Sequence, residues 1–436
     1  MKAKSTFGAW SIALLKTLTY ASLGLSIAGT ALADDQDADA LSLADQTPAS
    51  KENAKDWKIF LEGEYGTSTM RDGDSNQENH RLSLDVAYDK TFAPGWRVVF
   101  ADRLDMDWPA PVSDQNSINT LKDAYLSWQV EPSTILDLGR INVRYGVAVG
   151  YNPTDFFRTG ALRSIVSVDP ISLKENRQGS VMLRTQNLWD SGSITALYSP
   201  RLTDSPNYDG FDPSWSSTNN QGRFLVAVSQ KVSANLNPQF LLYKEDGESA
   251  QLGFNLTSLL GDSAVAFVEW SGGRSASLLT QALDQQGLPG ADDTVFRNHL
   301  AAGLTYTTSN KISLTAELEY NGAGQDQTAW NNIGNGSPAI YGLYRNWLEF
   351  TQEPPTKQAA MFYGTWQDAV INHLDLSAME RFDADDYSRL SWLEARYHME
   401  HAEFALQWQR NSGPVVSDYG AAPQIQSWQA VVRYYF

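Results

Sequence analysis

Apolar and polar residues alternate along most of this chain. The stretch "LSLDVAYD" puts Leu82, Leu84, Val86 and Tyr88 on one face, with Ser83, Asp85, Ala87 and Asp89 on the other. "ISLTAELEY" sets Ile312, Leu314, Ala316, Leu318 and Tyr320 against Ser313, Thr315, Glu317 and Glu319, and "LEARYHM" repeats the pattern near the end. A period of two is the signature of a strand with one apolar and one polar face, and no helical period of similar strength competes with it.

Marking such segments from Trp57 to Phe436 predicts eighteen strands, the fifth over 134–145. The connections sort by parity. Every second one is short, such as 131–133, 189–192 and 400–402, while the alternate set includes 146–178, 199–222, 272–296 and 321–356. A soluble sandwich has no reason to gather its long loops at one parity. A closed, antiparallel, up-and-down transmembrane β-barrel with both termini on one side does, because it has tight turns at one rim and long loops at the other.

Composition fits that reading. Lys2, Lys4 and Lys16 flank an apolar stretch that ends in "ALA", so residues 1–33 read as a signal peptide cleaved after Ala33. Residues 34–56 are acidic and aperiodic, which predicts a disordered periplasmic tail before a barrel over 57–436. Loss of the leader takes the formal charge from −18 to −21. So acidic a chain is a poor partner for nucleic acid. It has no cysteine, so thiol chemistry and disulfides are excluded.

The chain ends "WQAVVRYYF", with Trp428, Ala430, Val432, Tyr434 and Phe436 on one face. This ending resembles the C-terminal signature of Gram-negative outer-membrane barrels of the porin type, in which a last Phe follows alternating apolar residues. The resemblance implies an outer-membrane location, contact with membrane lipid and lipopolysaccharide, and reading of Trp428, Val432, Tyr434 and Phe436 by the barrel-insertion machinery. It leaves monomer and trimer open.

The third outer loop, 146–178, carries Ile165, Val166, Val168, Ile171 and Leu173 close together, which predicts a segment folded into the barrel mouth as a constriction. General porins are similar in this use of their third loop. Between 140 and 184, Arg140, Arg144, Arg158, Arg163, Lys174, Arg177 and Arg184 face only Asp155, Asp169 and Glu175, a net +4 inside an acidic protein. A β-bulge at Gly139 would turn Arg140 and Arg144 into the lumen, and Arg184 falls on the lumen face of the next strand. These arginines either form a basic stripe that concentrates anions or pair with lumen carboxylates such as Asp105, Asp107, Asp123 and Glu317. In the seventh long loop, Trp330, Tyr341, Tyr344 and Trp347 either stack on sugar rings or pack the loop as a lid.

No helical HExxH, nucleophile elbow or phosphate loop is present, and His398 and His401 beside Glu400 lack helical metal spacing. The reading is therefore a channel, with no enzyme activity, metal or cofactor, that passes small hydrophilic solutes of anionic or carboxylated type. The alternatives are an export channel for an acidic exopolysaccharide, resembling the alginate exporter in gross plan only, and a plugged barrel that binds ligands through its loops.

Overall fold

The computed structural model describes residues 56–71, 76–109, 115–204, 209–210 and 218–436. The expected leader, its cleavage at Ala33 and nearly all of the acidic tail lie outside the described residues. Eighteen antiparallel strands form one sheet. In chain order they are β1 (Trp57–Met70), β2 (Asn76–Ala93), β3 (Trp96–Trp108), β4 (Ser117–Glu131), β5 (Thr134–Ile141) and β6 (Ser180–Trp189). They continue with β7 (Gly192–Ser199), β8 (Arg223–Gln230), β9 (Gln239–Glu245), β10 (Gln251–Leu260), β11 (Ala264–Ser275) and β12 (Val295–Thr307). The last are β13 (Ile312–Asn321), β14 (Gln358–Trp366), β15 (Leu374–Asp383), β16 (Arg389–His398), β17 (Ala402–Ser412) and β18 (Gln424–Tyr435).

Each strand pairs with its chain neighbours, and β18 pairs with β1 to close the sheet, with Leu61 opposite Tyr434 and Thr67 opposite Trp428. Closure leaves no edge, so every strand satisfies its backbone groups within the barrel, the condition for spanning a bilayer. The Phe436 N–H donates to the Ile59 carbonyl at 3.1 Å, which ties even the last residue into the sheet.

Burial is inverted relative to a soluble protein. Along β1 the enclosed residues are Phe60, Glu62, Glu64 and Ser68, while Leu61 and Tyr65 face outward and are exposed. Leu138, Phe240, Leu314, Phe362 and Leu406 are likewise exposed, and Glu269 and Glu317 are enclosed. An exposed apolar band around a polar interior matches lipid outside and water inside. Aromatic rings collect near both rims of the band. At the turn end Trp57 lies 4.2 Å from Tyr88, Trp96 stacks on Trp128 at 5.1 Å, and Tyr434 meets Phe436. Rings of this kind mark the membrane–water interfaces.

Two local expectations change. The β4–β5 register runs unbroken through Gly139, so there is no bulge there; Gly139 adopts φ +140° because Tyr125 and the Ala124 carbonyl leave no room for a side chain. The strand stops at Ile141, four residues short of the expected end. The nearby bulge lies instead in β4, where Lys122 is the extra residue opposite Ala101 and Asp102. Asp102 therefore stays on the outer face, where the Asn119 side-chain amide donates to it at 2.9 Å.

Among the described residues the short helices lie in outer loops: α1 (Pro170–Glu175) in loop 3, α2 (Leu278–Gln285) in loop 6, and α3 (Gln327–Gly334) and α4 (Pro338–Thr351) in loop 7. Asp169, Ser277 and Asp326 cap the first three through side-chain oxygens. None of the described helices is long and apolar enough to cross a membrane.

Phe362, outward and 60% exposed in the middle of β14, tests the orientation. Phe362→Arg is expected to lower folding stability in bilayers by about 2–4 kcal/mol. Reversible denaturant titration in vesicles measures this, and an unchanged midpoint would place residue 362 away from lipid.

Candidate functional site: the barrel interior and loop 3

Loop 3 (142–179) turns into the barrel, and two chemistries hold it there. On one side the inner wall is apolar. Met182, Leu197, Leu225, Leu241 and Tyr243 pack with Ile141, Val143, Tyr145 and Phe157, and Phe156 stacks on Tyr243 at 4.5 Å. Next to this, Ala148 and Tyr151 pack on Phe267 and Ala301, and Val149 and Val168 on the Met361–Met379–Trp392 cluster. The strands beneath carry apolar residues on both faces, as in "FLVAV" and "FLLY", because one face meets lipid and the other meets the loop.

The second attachment is electrostatic. Glu269 on β11 accepts from the backbone N–H groups of Val147 (2.9 Å), Ala148 (3.1 Å) and Thr154 (2.8 Å), from the Asn152 amide (3.0 Å) and from the Thr154 hydroxyl (2.9 Å). Glu317 on β13 accepts from three successive N–H groups, Val149 (2.8 Å), Gly150 (3.1 Å) and Tyr151 (2.8 Å). Consecutive N–H groups form a concave anion site, and here the anion belongs to the barrel wall. The glycines permit the approach. A Cβ on Gly146 would lie 2.6 Å from Glu269, and one on Gly150 would lie 2.6 Å from Glu319.

Loop 7 closes over the outer end. Arg158 pairs with Glu353, the Gly160 N–H donates to the Phe350 carbonyl at 2.9 Å, and the Gln352 amide donates to the Arg158 carbonyl at 2.7 Å. Tyr151 donates to Glu353 at 2.9 Å. Burial opposes ionisation of Glu353, but Arg158, His299 and the Tyr151 hydroxyl prevail, and its carboxyl sits below the usual range. Elsewhere in loop 3 burial pushes the Asp169 carboxyl up and the Lys174 amine down.

The remaining arginines of the expected stripe occupy diverse places. Arg177 pairs with buried Asp155, and Arg184 with Asp137 at 2.7 Å. Arg163 donates to Gln178 and to the Asp209 carbonyl. Arg140 does not enter the lumen. Without a bulge at Gly139 it is Ile141 that turns inward, and Arg140 is buried against the Gly179 carbonyl and the Thr218 hydroxyl. Arg144 is exposed and lines an open cavity. Asp105 is buried with Arg103 (2.8 Å) and Ser83 (2.6 Å), and Asp107 sits half-buried across the register from Arg81. Trp330 and Tyr344 are fully buried with Leu278 and Ala282 in the core shared by α2, α3 and α4, so these two rings serve the loop rather than a solute. Tyr341 and Trp347 pack at the margin of that core.

Three cavities adjoin loop 3. The outer one, about 420 Å³, lies between loop 3, α4 and the upper ends of β14 and β15, and is lined by Arg158, Lys174, Arg177, Arg345 and Arg381 with Glu349, Glu353, Asp383 and Asp418. The inner one, about 410 Å³, faces β1–β4 and β16–β18. A cavity of only about 60 Å³ shares Ile165 and Val168 with the first, and Val166, Ser167 and Gln407 with the second. Its far wall is Trp392, Gln409, Ser427 and Gln429.

The inner cavity carries the cations Lys58, Arg81, Arg103, Lys122, Arg144, Arg396 and Arg433. Its carboxylates are Glu62, Asp85, Asp123, Asp169, Glu175 and Glu394. Glu62 binds Arg81, Arg103 and Arg433, Asp85 binds Lys122 at 2.6 Å, and Glu394 binds Arg396 at 2.8 Å. Lys58 and Arg144 make no ion pair among the described residues, nor do the carboxylates Asp123, Asp169 and Glu175.

The chain folds as a closed, antiparallel, up-and-down β-barrel with an apolar outer band and a polar lumen. No protein-family model and no curated protein sequence matches the chain. Solved structures do match. Acinetobacter baumannii OccAB1 is 11% identical with a TM-score of 0.54, over 87% of this chain and 96% of that one. A BenF-like porin from Pseudomonas fluorescens Pf-5 is 10% identical with a TM-score of 0.54, over 87% and 98%. Pseudomonas aeruginosa OpdL is 14% identical with a TM-score of 0.53, over 87% and 98%.

Removing the wall carboxylates should free the loop. The double variant Glu269→Gln, Glu317→Gln places amide donors against N–H donors and forfeits charge-assisted bonds worth about 1.5–3 kcal/mol each. Single-channel recording should show larger, flickering conductance from a barrel that still migrates as folded; an unchanged trace would mean that the apolar packing alone holds the loop. The Arg158–Glu353 clasp contributes stability above the usual carboxylate range, which is lost as pH falls through the lowered value. Acid-induced opening steps should therefore appear in the wild type, and Glu353→Gln should show them at neutral pH.

Proposed function

We propose that the protein is a passive outer-membrane channel for small hydrophilic solutes, with loop 3 as its constriction. The observation that carries this reading is the pair of cavities near 420 and 410 Å³ on either side of loop 3, with one of about 60 Å³ between them that shares lining residues with both. The narrow point sets aliphatic Ile165, Val166 and Val168 against the amides of Gln407, Gln409 and Gln429, an uncharged passage that admits a solute by size and hydrogen bonding. Export of a polysaccharide calls for a wide continuous bore, which loop 3 in the lumen does not favour. The fold shared with porins supports a channel and leaves the solute open.

We further propose a preference for anions, carboxylated solutes among them. It rests on the inner cavity, where seven basic side chains meet six carboxylates and two of the cations, Arg144 and Lys58, lack an ion-pair partner among the described residues. A fixed excess of one sign in a narrow, low-dielectric passage raises the local concentration of the opposite ion. Glu175, Asp123 and Asp169, which make no ion pair among the described residues either, are the opposing groups. Reversal potentials in a salt gradient test this directly. The wild type should be anion-selective, Glu175→Gln more so, and Arg144→Glu shifted toward cations. Cation selectivity in the wild type would end the proposal.

A further inference from the structure

The narrow point beside loop 3 differs in chemistry from the spaces on either side of it. Both larger cavities are lined by many charged side chains. None of the nine residues around the small one carries a charge. One side is aliphatic. The tip of loop 3 presents Ile165, Val166 and Val168, of which Ile165 is exposed and Val168 rests on buried Trp392. The Val166 carbonyl accepts from Arg81 at 3.4 Å, which holds the tip toward β2.

The other side is built from amides and hydroxyls that strand register brings together. Gln407 of β17 lies opposite Gln429 of β18, and Gln409 opposite Ser427. Ser427 in turn lies opposite Ser68 of β1, and Gln429 opposite Gly66. Gly66 leaves room for the Asn79 side chain of β2, since a Cβ there would lie 2.5 Å from it. These groups are largely uncommitted. The side chains of Gln409, Ser427 and Gln429 make no hydrogen bond among the described residues, and the Asn79 Oδ1 is buried without a partner. Gln407 donates to Glu394 at 2.6 Å and keeps its carbonyl oxygen for another donor.

An ion meets no fixed counter-charge at this point, and a wholly apolar solute would leave the amides unpaired. A sugar ring suits both sides, with its C–H face on the aliphatic tip and its hydroxyls, each donor and acceptor, on amides that offer two donors and an acceptor apiece. We propose that the narrow point is a binding subsite for neutral polyhydroxylated solutes of monosaccharide size, with Gln409, Gln429 and Ser427 on the hydroxyls. This subsite rests on the channel reading of the narrow point and is independent of the anion preference, which arises at the inner cavity.

The test is block of potassium chloride current through bilayer-inserted barrels by D-xylose. Triethylene glycol, of nearly the same mass and poor in hydroxyls, is the comparison. Xylose should block saturably, and triethylene glycol about 10-fold more weakly. Gln409→Leu with Gln429→Leu, which keeps the volume and removes both amides, should weaken the xylose block about 10-fold. Gln429→Asn, which keeps an amide, should weaken it less. Equal block by the two solutes, or an unchanged xylose block in the double leucine variant, overturns the subsite while the channel stands. A wild type that passes no current at all overturns both. Heat-modifiable migration confirms that each variant is folded.

Discussion

Buried carboxylates that accept backbone N–H groups hold the interior of this barrel together. Glu269 and Glu317 project from the wall into a region that loop 3 would otherwise leave to water, and each binds donors of the loop rather than a basic side chain. A buried charge left without partners would be costly, and so would unpaired loop amides. Each set satisfies the other. The loop is thereby fixed as an internal wall, and the outer and inner cavities lie on either side of it.

The apolar half of the inner wall works with this electrostatic pin. Leu197, Leu225 and Leu241 face the lumen, yet they are almost completely buried because the loop covers them. The water-lined space is consequently displaced toward β16–β18 and β1–β4, where the inner wall is charged. Placement of this open space, with a charged wall on one side and a loop on the other, is thus a consequence of which strands are apolar on both faces.

Ion pairing distributes the arginines differently from their spacing in the chain. Arg158, Arg177 and Arg184 neutralise Glu353, Asp155 and Asp137, and so stabilise loop attachments and strand pairing. The residues that face open space at the inner cavity come from distant segments, with Lys58 on the first strand, Arg433 on the last and Arg144 in loop 3. Buried pairs of this kind cost desolvation that only good geometry offsets, and closure of β18 onto β1 supplies that geometry for Glu62 and Arg433, at 2.7 Å.

The amino-acid sequence by itself determined the class of architecture. Alternation in segments such as 82–89 and 312–320 specifies strands with one face for lipid, the parity of loop lengths specifies up-and-down connection, and the aromatic ending at Phe436 specifies a last strand inside the sheet. These signals are local, because the side-chain period of a strand is intrinsic to its backbone. Only the tertiary structure decided what meets what inside. The inward apolar residues after Gly139 resembled a change of face in one dimension, and are instead the seat of loop 3. Trp330 and Tyr344 offered the same composition to a sugar or to a lid, and burial against α2 decided it. Likewise the partners of Glu317 are backbone amides, which carry no sequence signature. Such contacts depend on register across strands far apart in the chain, so no local pattern could encode them.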